Sequence, residues 1–225
     1  MKRRGIAIDG PSGAGKSTLA RRLARELGFV YVDTGAIYRT VGLAARRRGI
    51  DLADGEAVAA MLPRLAIGMG YGEDGLQHMY LDGEDVTRAI RENEISACAS
   101  KVAALPAVRA FLLEMQRGTA RENDVVMDGR DIGTVVLPQA DVKIYLTAAA
   151  EARAERRYRE LLERGQQADL DQVLREVVER DRRDMEREVS PLRRADGAAL
   201  ADTTGLDLEE SFQLLLRLVR ERLDV

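Results

Sequence analysis

The sequence Gly10-Pro11-Ser12-Gly13-Ala14-Gly15-Lys16-Ser17 matches the pattern G-x-x-x-x-G-K-[ST] and decides the fold prediction for the whole chain. An apolar run at 6–9 precedes it as a buried strand, and Lys16–Leu27 follows it as an amphipathic helix. In that context the glycines let successive backbone N–H groups surround phosphate oxygens, and the helix N-terminus adds partial positive charge. Lys16 can reach the β- and γ-phosphates, and the Ser17 hydroxyl can ligate Mg²⁺. The stretch therefore predicts a site for a nucleoside triphosphate.

The sequence on either side of this loop alternates between strand and helix patterns. Residues 29–32 read as a second strand, and the next helix is predicted from Ala36 to Arg48. The alternation resumes later, with strands predicted at 125–127, 142–146 and 199–201 and helices at 151–164, at 170–187 and from about Asp207. Glu210 can cap that last helix, whose predicted core face is Phe212, Leu215, Leu216, Val219 and Leu223. This order predicts an α/β fold of the P-loop NTPase type, a parallel sheet covered by helices.

The middle of the chain departs from this pattern. Between about 65 and 86 the sequence predicts short strands separated by Gly72-Glu73-Asp74-Gly75 and by Asp82-Gly83, a hairpin-type turn. Two helices are predicted next, near 92–103 and 106–121, the second opening with Pro106. We therefore expect one domain over 1–225, with an insert at 40–105 that contains a small antiparallel sheet.

Composition limits the function classes. Hydrophobic residues make up 45% and charged residues 32%, and the net charge of −3 provides no basic field for nucleic acid. The single cysteine, Cys98, and the single histidine, His78, exclude a disulfide framework and a Cys/His zinc site. We expect Cys98 to be a buried helix residue and His78 a surface or interstrand residue. The N-terminal apolar run is too short for a signal peptide or a membrane span, so we expect a cytoplasmic protein. We also expect it to be a monomer.

A second anion site would distinguish a kinase from other P-loop proteins, because transfer to a phosphorylated acceptor holds two polyanions in line. The chain has no Asn-Lys-x-Asp tetrapeptide of a GTPase switch. Asp128-Gly129-Arg130-Asp131 follows a predicted strand, and Asp33-Thr34-Gly35-Ala36-Ile37-Tyr38-Arg39 follows another. Ligands of open α/β sheets gather at such strand ends. Each stretch could also be an ordinary loop or helix cap with a solvated arginine.

The two late helices carry further arginines. Arg180, Arg183, Asp184 and Arg187 share about one-third of the helix circumference. Arg153, Arg156 and Arg157 cluster on the preceding helix. Such cations repel one another unless an anion neutralises them, although nearby glutamates could make either cluster a solvated face. Because the chain also contains a phosphate loop, we favour phosphate binding over a solvated face for these clusters.

Over nearly its whole length the chain resembles the bacterial-type cytidylate kinases of the nucleoside monophosphate kinase group. The resemblance rests on residues 8–18, Asp33–Arg39 as quoted above, Leu81-Asp82-Gly83-Glu84-Asp85-Val86, Asp128–Asp131 with the residues that follow to 136, and Arg180-Asp181 through Pro191-Leu192. It implies a parallel-sheet core, an insert that closes over the monophosphate, and a short helical lid at 153–168 that closes over ATP.

The resemblance also implies roles for individual residues. Lys16, Arg130 and Arg187 would be catalytic. The ATP site would comprise Gly10, Pro11, Ser12, Gly13, Ala14, Gly15, Lys16, Ser17, Thr18, Arg153, Arg156 and Arg157, with Ser17 on the metal. The monophosphate site would comprise Thr34, Tyr38, Arg39, Ser100, Arg109, Arg130, Asp131, Arg180, Asp184 and Arg187. Within that set, Ser100, Arg109 and Asp131 would contact cytosine, Arg180 and Asp184 the ribose, and Arg39, Arg130 and Arg187 the phosphate.

The activity expected from the resemblance is transfer of the ATP γ-phosphoryl group to CMP or dCMP, with Mg²⁺ as cofactor and no nucleic acid or membrane partner. Two alternatives stay open on the residues alone. One is a P-loop kinase for another small acceptor such as UMP, and the other is a nucleotide-dependent regulatory switch. The roles of Asp9 and Asp128 also stay open: either could orient Mg²⁺ through water, and Asp128 could equally brace its loop.

Overall fold

The computed structural model describes residues 3–73, 75–163 and 165–223. Their backbone forms two compact units, one made of Met1–Val30 with Asn123–Val225 and the other of Tyr31–Glu122. The described strands are β1 (Gly5–Asp9), β2 (Val30–Asp33), β3 (Ile67–Tyr71), β4 (Gln77–Leu81), β5 (Glu84–Asp85), β6 (Val125–Gly129), β7 (Val142–Thr147) and β8 (Ala199–Asp202). The described α-helices are α1 (Lys16–Leu27), α2 (Thr34–Arg47), α3 (Gly55–Met61), α4 (Asn93–Val102), α5 (Pro106–Glu122), α6 (Ala150–Glu163), α7 (Leu170–Glu186) and α8 (Leu208–Leu223).

The predicted α/β fold is confirmed. Five strands form a sheet in the order β2-β6-β1-β7-β8, and β1 pairs in parallel with both β6 and β7. The centre of the sheet is apolar, since Ile6, Ala7 and Ile8 have no exposed surface. A strand buried on both faces reads as a continuous apolar run, which is how β1 was predicted.

The first unit follows the sequence prediction closely at its helix ends. Helix α1 has the predicted bounds, and Gly28 ends it in a left-handed conformation with φ of 67°. Asp207 and Glu210 each accept a hydrogen bond from the other's backbone N–H, which confirms the predicted capping pair of α8. Four of the five residues predicted for the α8 core face are buried, whereas Leu223 is half-buried.

Strand β6 is longer than predicted. The apolar run ends at Met127, but parallel pairing with β1 continues through Ile8 with Asp128 and Asp9 with Gly129. Asp128 and Gly129 are therefore strand residues, and the loop begins at Arg130. Residues Ile132–Val136 then form one π-helical turn, which the sequence did not predict.

The second unit contains the predicted small antiparallel sheet, in the order β3-β4-β5. Asp82 and Gly83 both have positive φ, 52° and 89°, as the predicted two-residue hairpin turn requires. The other predicted turn includes Asp74, which lies outside the described residues. His78 lies on β4 with Nδ1 2.9 Å from Asp85 Oδ2, consistent with a surface strand residue.

Helix α2 begins two residues before its predicted start, because the Asp33 carboxylate accepts from the Ala36 N–H at 2.9 Å. It packs against α4, where Cys98 is half-buried and not fully buried as expected. Helix α3 was not predicted. The second unit as a whole, Tyr31–Glu122, is wider than the predicted insert at 40–105.

The predicted lid at 153–168 begins inside α6 and continues beyond it, and Arg164 lies outside the described residues. Ala154 of α6 packs against Val173 and Val177 of α7. Within the described ranges, no single helix is both long and apolar enough to cross a membrane, although the bent pair Glu94–Val102 and Pro106–Glu122 meets that criterion when taken together.

Candidate active site

The phosphate loop joins β1 to α1. Gly10 lies so close to β7 that a Cβ atom there would be 1.9 Å from the Leu146 carbonyl oxygen. Gly15, with φ of 84°, directly precedes Lys16, the first residue of α1. The loop backbone therefore delivers the unpaired N–H groups of a helix N-terminus to one point, which is the geometry that binds phosphate.

Lys16 is buried in the loop, and its Nζ donates to the Pro11 carbonyl oxygen at 2.6 Å. Burial lowers the pKa of Lys16 well below its ordinary value, and repulsion from Arg130 and Arg180 lowers it further. The carboxylates of Asp128 and Asp184 act in the opposite direction. These opposing influences show that the side chains of β6 and α7 lie within electrostatic range of the phosphate loop.

Two carboxylates end neighbouring strands beside this loop. Asp128 accepts from the Ser17 hydroxyl at 2.9 Å, so a carboxylate and a hydroxyl oxygen lie together as Mg²⁺ ligation would require. Asp9 accepts from the N–H groups of Ile132 and Gly133, both at 2.7 Å. Asp9 therefore braces a loop, whereas Asp128 contacts the residue predicted to hold the metal.

Arg130 forms a partly buried ion pair with α7. Its Nε donates to Asp184 Oδ2 at 2.8 Å, and its Nη1 donates to the Gly129 carbonyl oxygen at 3.2 Å. Burial by itself would raise the pKa of Asp184, but Arg130 holds the pKa below its ordinary value. Asp184 is thus a carboxylate, surrounded by the charges of Arg130, Arg180 and Arg187.

Arg187 lies just beyond α7, in extended backbone. Its Nε donates to the Ser190 carbonyl oxygen at 2.6 Å, and its Nη2 is 3.7 Å from Asp131 Oδ1. The prediction of a single helical face is therefore wrong for one member of that cluster. Arg187 is not helical, and Arg183 is exposed with its Nε 3.7 Å from Glu179.

The lid arginines contact protein groups. Arg153 donates from Nε to Ala148, from Nη1 to the carbonyl oxygen of Ser12 in the phosphate loop, and from Nη2 to Asp181 at 2.5 Å. Arg156 donates to the Thr203 carbonyl oxygen at 2.7 Å, and Arg157 to Glu160 at 2.8 Å. Their assignment to the donor phosphates stays a prediction.

The remaining predicted residues belong to the second unit. Thr34 and Tyr38 are buried in α2, and Arg39 donates to Asp33 at 2.8 Å, while its buried Nε has no hydrogen-bond partner among the described residues. Arg109 of α5 is buried, donates to the Ala103 carbonyl oxygen at 3.1 Å, and lies 5.6 Å from the centre of the Tyr38 ring. Ser100 is half-buried on α4.

The sequence did not identify the carboxylates that hold these arginines. Asp33 caps its helix, as the alternative interpretation of this stretch allowed, and it also holds Arg39, which that interpretation left to solvent. Asp181 was read only as part of a motif, and it is the partner of buried Arg153. A buried arginine is expected to pair with a carboxylate, but the sequence does not reveal which aspartate or glutamate is the partner.

Comparison with known proteins agrees with this arrangement. The family model described as cytidylate kinase matches residues 6–221. The chain belongs to the cytidylate kinase family. A cytidylate kinase from Carboxydothermus hydrogenoformans is 49% identical over 220 residues, 98% of this chain and 99% of that protein. One from Exiguobacterium sp. is 48% identical and covers 96% of both chains.

Similarity to solved structures is weaker. A shikimate kinase from Bacteroides thetaiotaomicron aligns over 99% of both chains with a TM-score of 0.47 and 14% identity. A similarity at this level supports no argument about this cytidylate kinase family member. Its fold assignment rests on the strand order and helices described above.

Proposed function

We propose that this chain transfers the γ-phosphoryl group of ATP to CMP and to dCMP, giving ADP and the corresponding diphosphate. The observation that carries the proposal is the convergence of Lys16 with Arg130 and Arg180 in one compact unit of a cytidylate kinase family chain. Repulsion from Arg130 and Arg180 lowers the pKa of Lys16, and a polyanion bound among these cations would relieve that repulsion. A kinase that acts on a phosphorylated acceptor binds two polyanions, ATP and the acceptor.

The donor would bind at the phosphate loop. The N–H groups of residues 10–18 would surround its phosphates, and Lys16 would move from the Pro11 carbonyl oxygen to a phosphate oxygen. Mg²⁺ would be held by the Ser17 hydroxyl, with Asp128 within hydrogen-bond distance of that hydroxyl. The ion, when bound, neutralises charge on the donor phosphates.

The acceptor phosphate would be gripped by Arg130 and Arg187, with Arg39 of the second unit as the third arginine. Guanidinium forks bind phosphate through two parallel hydrogen bonds and stay charged at every relevant pH. Because the acceptor is already an anionic oxygen, no side chain needs to abstract a proton or form a covalent intermediate. The protein contributes alignment and charge stabilisation.

The base and sugar contacts follow from the family motifs. Ser100, Arg109 and Asp131 would read cytosine, whose exocyclic amine is a donor that a carboxylate can accept. Arg180 and Asp184 would hold the ribose. Asp184 is ionised and buried, so it can accept from a hydroxyl while keeping its bond to Arg130. We assign Arg153, Arg156 and Arg157 to the donor phosphates by the same motifs, with lid and insert closure excluding water.

An acceptor panel tests this function directly. ATP and Mg²⁺ are supplied with CMP, dCMP, UMP or AMP, or with no acceptor, and ADP formation is measured. We expect the highest kcat/KM with CMP or dCMP and little hydrolysis without acceptor. Faster transfer to UMP would contradict the cytosine contacts, and acceptor-independent hydrolysis would favour the regulatory switch.

We further propose a cytoplasmic monomer that acts in pyrimidine nucleotide metabolism and binds neither nucleic acid nor membranes. The net charge of −3 supports the first exclusion, since nucleic-acid binding draws on excess basic charge. Light scattering after size-exclusion chromatography would measure the mass. A mass near 24.8 kDa is expected for the monomer.

A further inference from the structure

Asp9 connects the phosphate loop to the loop that begins at Arg130, and the proposed function assigns it no role in phosphate binding. It is the last residue of β1, and Gly10 of the phosphate loop follows immediately. Its side chain binds the other loop: Oδ1 accepts from the Ile132 N–H and Oδ2 from the Gly133 N–H, both at 2.7 Å. The two oxygens of one buried carboxylate thus hold consecutive amides 123 and 124 residues away.

Those amides begin the π-helical turn that follows Arg130 and Asp131. The turn has no cap of its own, because Asp131 precedes it without a side-chain hydrogen bond to its amides. Unpaired N–H groups at the start of a helical turn need an acceptor, and a carboxylate is the strongest one available. Asp9 supplies that cap from another strand and so fixes the backbone directly after Arg130.

The packing around Gly133 allows this close approach. A Cβ at that position would be 3.2 Å from Ala195 Cβ and 3.4 Å from Asp9 Oδ2. On the other side, Asp9 is tied by sheet pairing to Gly129 of β6 and Tyr145 of β7. The backbone of Asp9 is therefore fixed between two strands while its carboxylate binds the turn, so the turn cannot shift without breaking one of the two carboxylate hydrogen bonds.

We propose that Asp9 is a positioning residue for phosphoryl transfer: its carboxylate clamps the Ile132 and Gly133 amides and thereby aligns Arg130 and Asp131 with the phosphate loop. The inference rests on the proposed function. Asp9 touches no substrate; it acts through the turn. Misplacement of an aligned group by about 1 Å can cost a hundredfold in rate, so loss of the clamp should lower turnover while donor binding at the phosphate loop persists.

The surroundings of Asp9 give this role a pH signature. Burial raises the pKa of Asp9 to about 6, against the lowering effect of the two backbone hydrogen bonds. Asp131 raises this pKa and Lys16 lowers it, while Tyr145 adjoins Asp9 on β7 and Lys143 lies beside Gly133. Protonation converts one oxygen into a hydroxyl group, which carries a proton of its own and is a much weaker acceptor for an N–H group.

The test compares wild type with Asp9→Asn, using ATP, Mg²⁺ and CMP. The amide of asparagine keeps one acceptor and turns a donor toward the second N–H. At about pH 8 we expect kcat to fall by about tenfold to a hundredfold while KM for ATP changes by less than about threefold. The wild-type advantage should then shrink toward about pH 5.5, because wild type loses its clamp there and the variant has none to lose. The phosphate of CMP titrates near pH 6 as well, but equally in both proteins.

Asp124→Asn is the matched control. Asp124 accepts from the Arg4 N–H at 2.8 Å beside the amino ends of the same two strands, so its variant makes the same change from carboxylate to amide far from the turn. It should keep kcat within about twofold of wild type. An Asp9→Asn kcat within about twofold of wild type at pH 8, or a wild-type advantage that does not change with pH, would overturn the proposal.

The wild-type protein provides a measurement that does not depend on the variant folding. The amide resonances of Ile132 and Gly133 should shift together with a midpoint near the Asp9 pKa of about 6, and fixed resonances across that range would also overturn the proposal. A wild-type protein that does not phosphorylate CMP would instead contradict the proposed function. The two failures are therefore distinguishable.

Discussion

Lys16 shows at the scale of one residue why this loop binds an anion. Its ammonium group is buried and donates to the Pro11 carbonyl oxygen, and burial followed by repulsion from Arg130 lowers its pKa. A neutral lysine would be a poor ligand for phosphate. Bound polyphosphate reverses this, because its negative charge lies where these cations converge and favours the charged amine.

Arg130→Ala should separate transfer from donor binding. We expect kcat for CMP phosphorylation to fall by about a hundredfold to a thousandfold, because the variant lacks a cation at the transferring group. The ATP dissociation constant should change by less than about threefold, since the phosphate loop is intact. Steady-state kinetics and titration calorimetry measure the two quantities.

Arg183→Ala is the control, since Arg183 is exposed and pairs only weakly with Glu179. It removes the same charge from the helix that carries Asp184 and should leave kcat nearly unchanged. Equal turnover of Arg130→Ala and wild type at saturating substrates would remove Arg130 from its assigned role.

Gly10 tests the loop backbone. Gly10→Ala would place a Cβ 1.9 Å from the Leu146 carbonyl oxygen, and β7 cannot retreat without breaking its pairing with β1. We expect a loss of about 3 kcal/mol or more in the free energy of unfolding, or no folded protein. Urea unfolding followed by circular dichroism measures it.

Gly28→Ala is the control that distinguishes the cost of a steric clash from the cost of a positive φ. Gly28 has φ of 67° and no atom within 4 Å of the added Cβ, so its variant should lose only about 1 kcal/mol. Similar losses in both variants would show that the approach to Leu146 is not what requires Gly10.

At the scale of elements, α6 and α7 are joined by a buried ion pair. Arg153 reaches Asp181 across the helix interface while also donating to Ser12 of the phosphate loop. Asp181→Ala would leave the guanidinium buried without its carboxylate, and we expect a loss of about 3–5 kcal/mol in the free energy of unfolding. Denaturant titration at one pH is sufficient to measure this.

The same helix provides the comparison. Glu179→Ala removes a carboxylate that pairs with exposed Arg182 at 3.0 Å, and exposed pairs contribute about 1 kcal/mol or less. If Asp181→Ala cost no more than Glu179→Ala, the pair would not be what joins α6 to α7.

Local chemistry explains which elements could be predicted from sequence. Helix α1 could be predicted from its apolar periodicity and its terminal glycine, and α8 could be predicted from its capping pair. Helix α3 has only seven residues and begins with Gly55, so the cap that Asp54 provides was the only signal. The predicted β6 was too short because an apolar run ends at the first polar side chain, whereas backbone pairing between strands does not depend on side-chain polarity.

At the scale of the whole molecule, the site was predictable in its residue types but not in its pairs. Motif and spacing predicted Arg130 and Asp184 as binding residues, and the structure places the two side chains in contact. That Asp184 holds Arg130, 54 residues away, depends on how α7 packs beside β6. The same holds for Asp9, whose partners are backbone amides that leave no trace in the amino-acid sequence.

The buried carboxylate of Asp9 should also be visible in the stability of the whole protein. Its folded pKa of about 6 lies above the ordinary value of 3.8, so between these values the folded state binds more protons than the unfolded state. Its contribution is therefore complete below about pH 3.8 and is lost as the pH rises through 6, by about 3 kcal/mol in all. Asp9→Asn lacks this dependence. Urea unfolding from about pH 4 to pH 7 should show wild type losing stability relative to the variant as the pH rises.

Asp184 acts with the opposite sign, because its pKa is lowered, but it is present in both proteins and cancels in the difference. Parallel stability curves would show that Asp9 is no more costly to ionise in the folded state than in water. If the curves diverge as expected, folding alone gives no reason for a charged group at this position near neutral pH. The lower turnover expected of Asp9→Asn would then supply the reason, since only the ionised carboxylate offers two acceptors to the turn that carries Arg130.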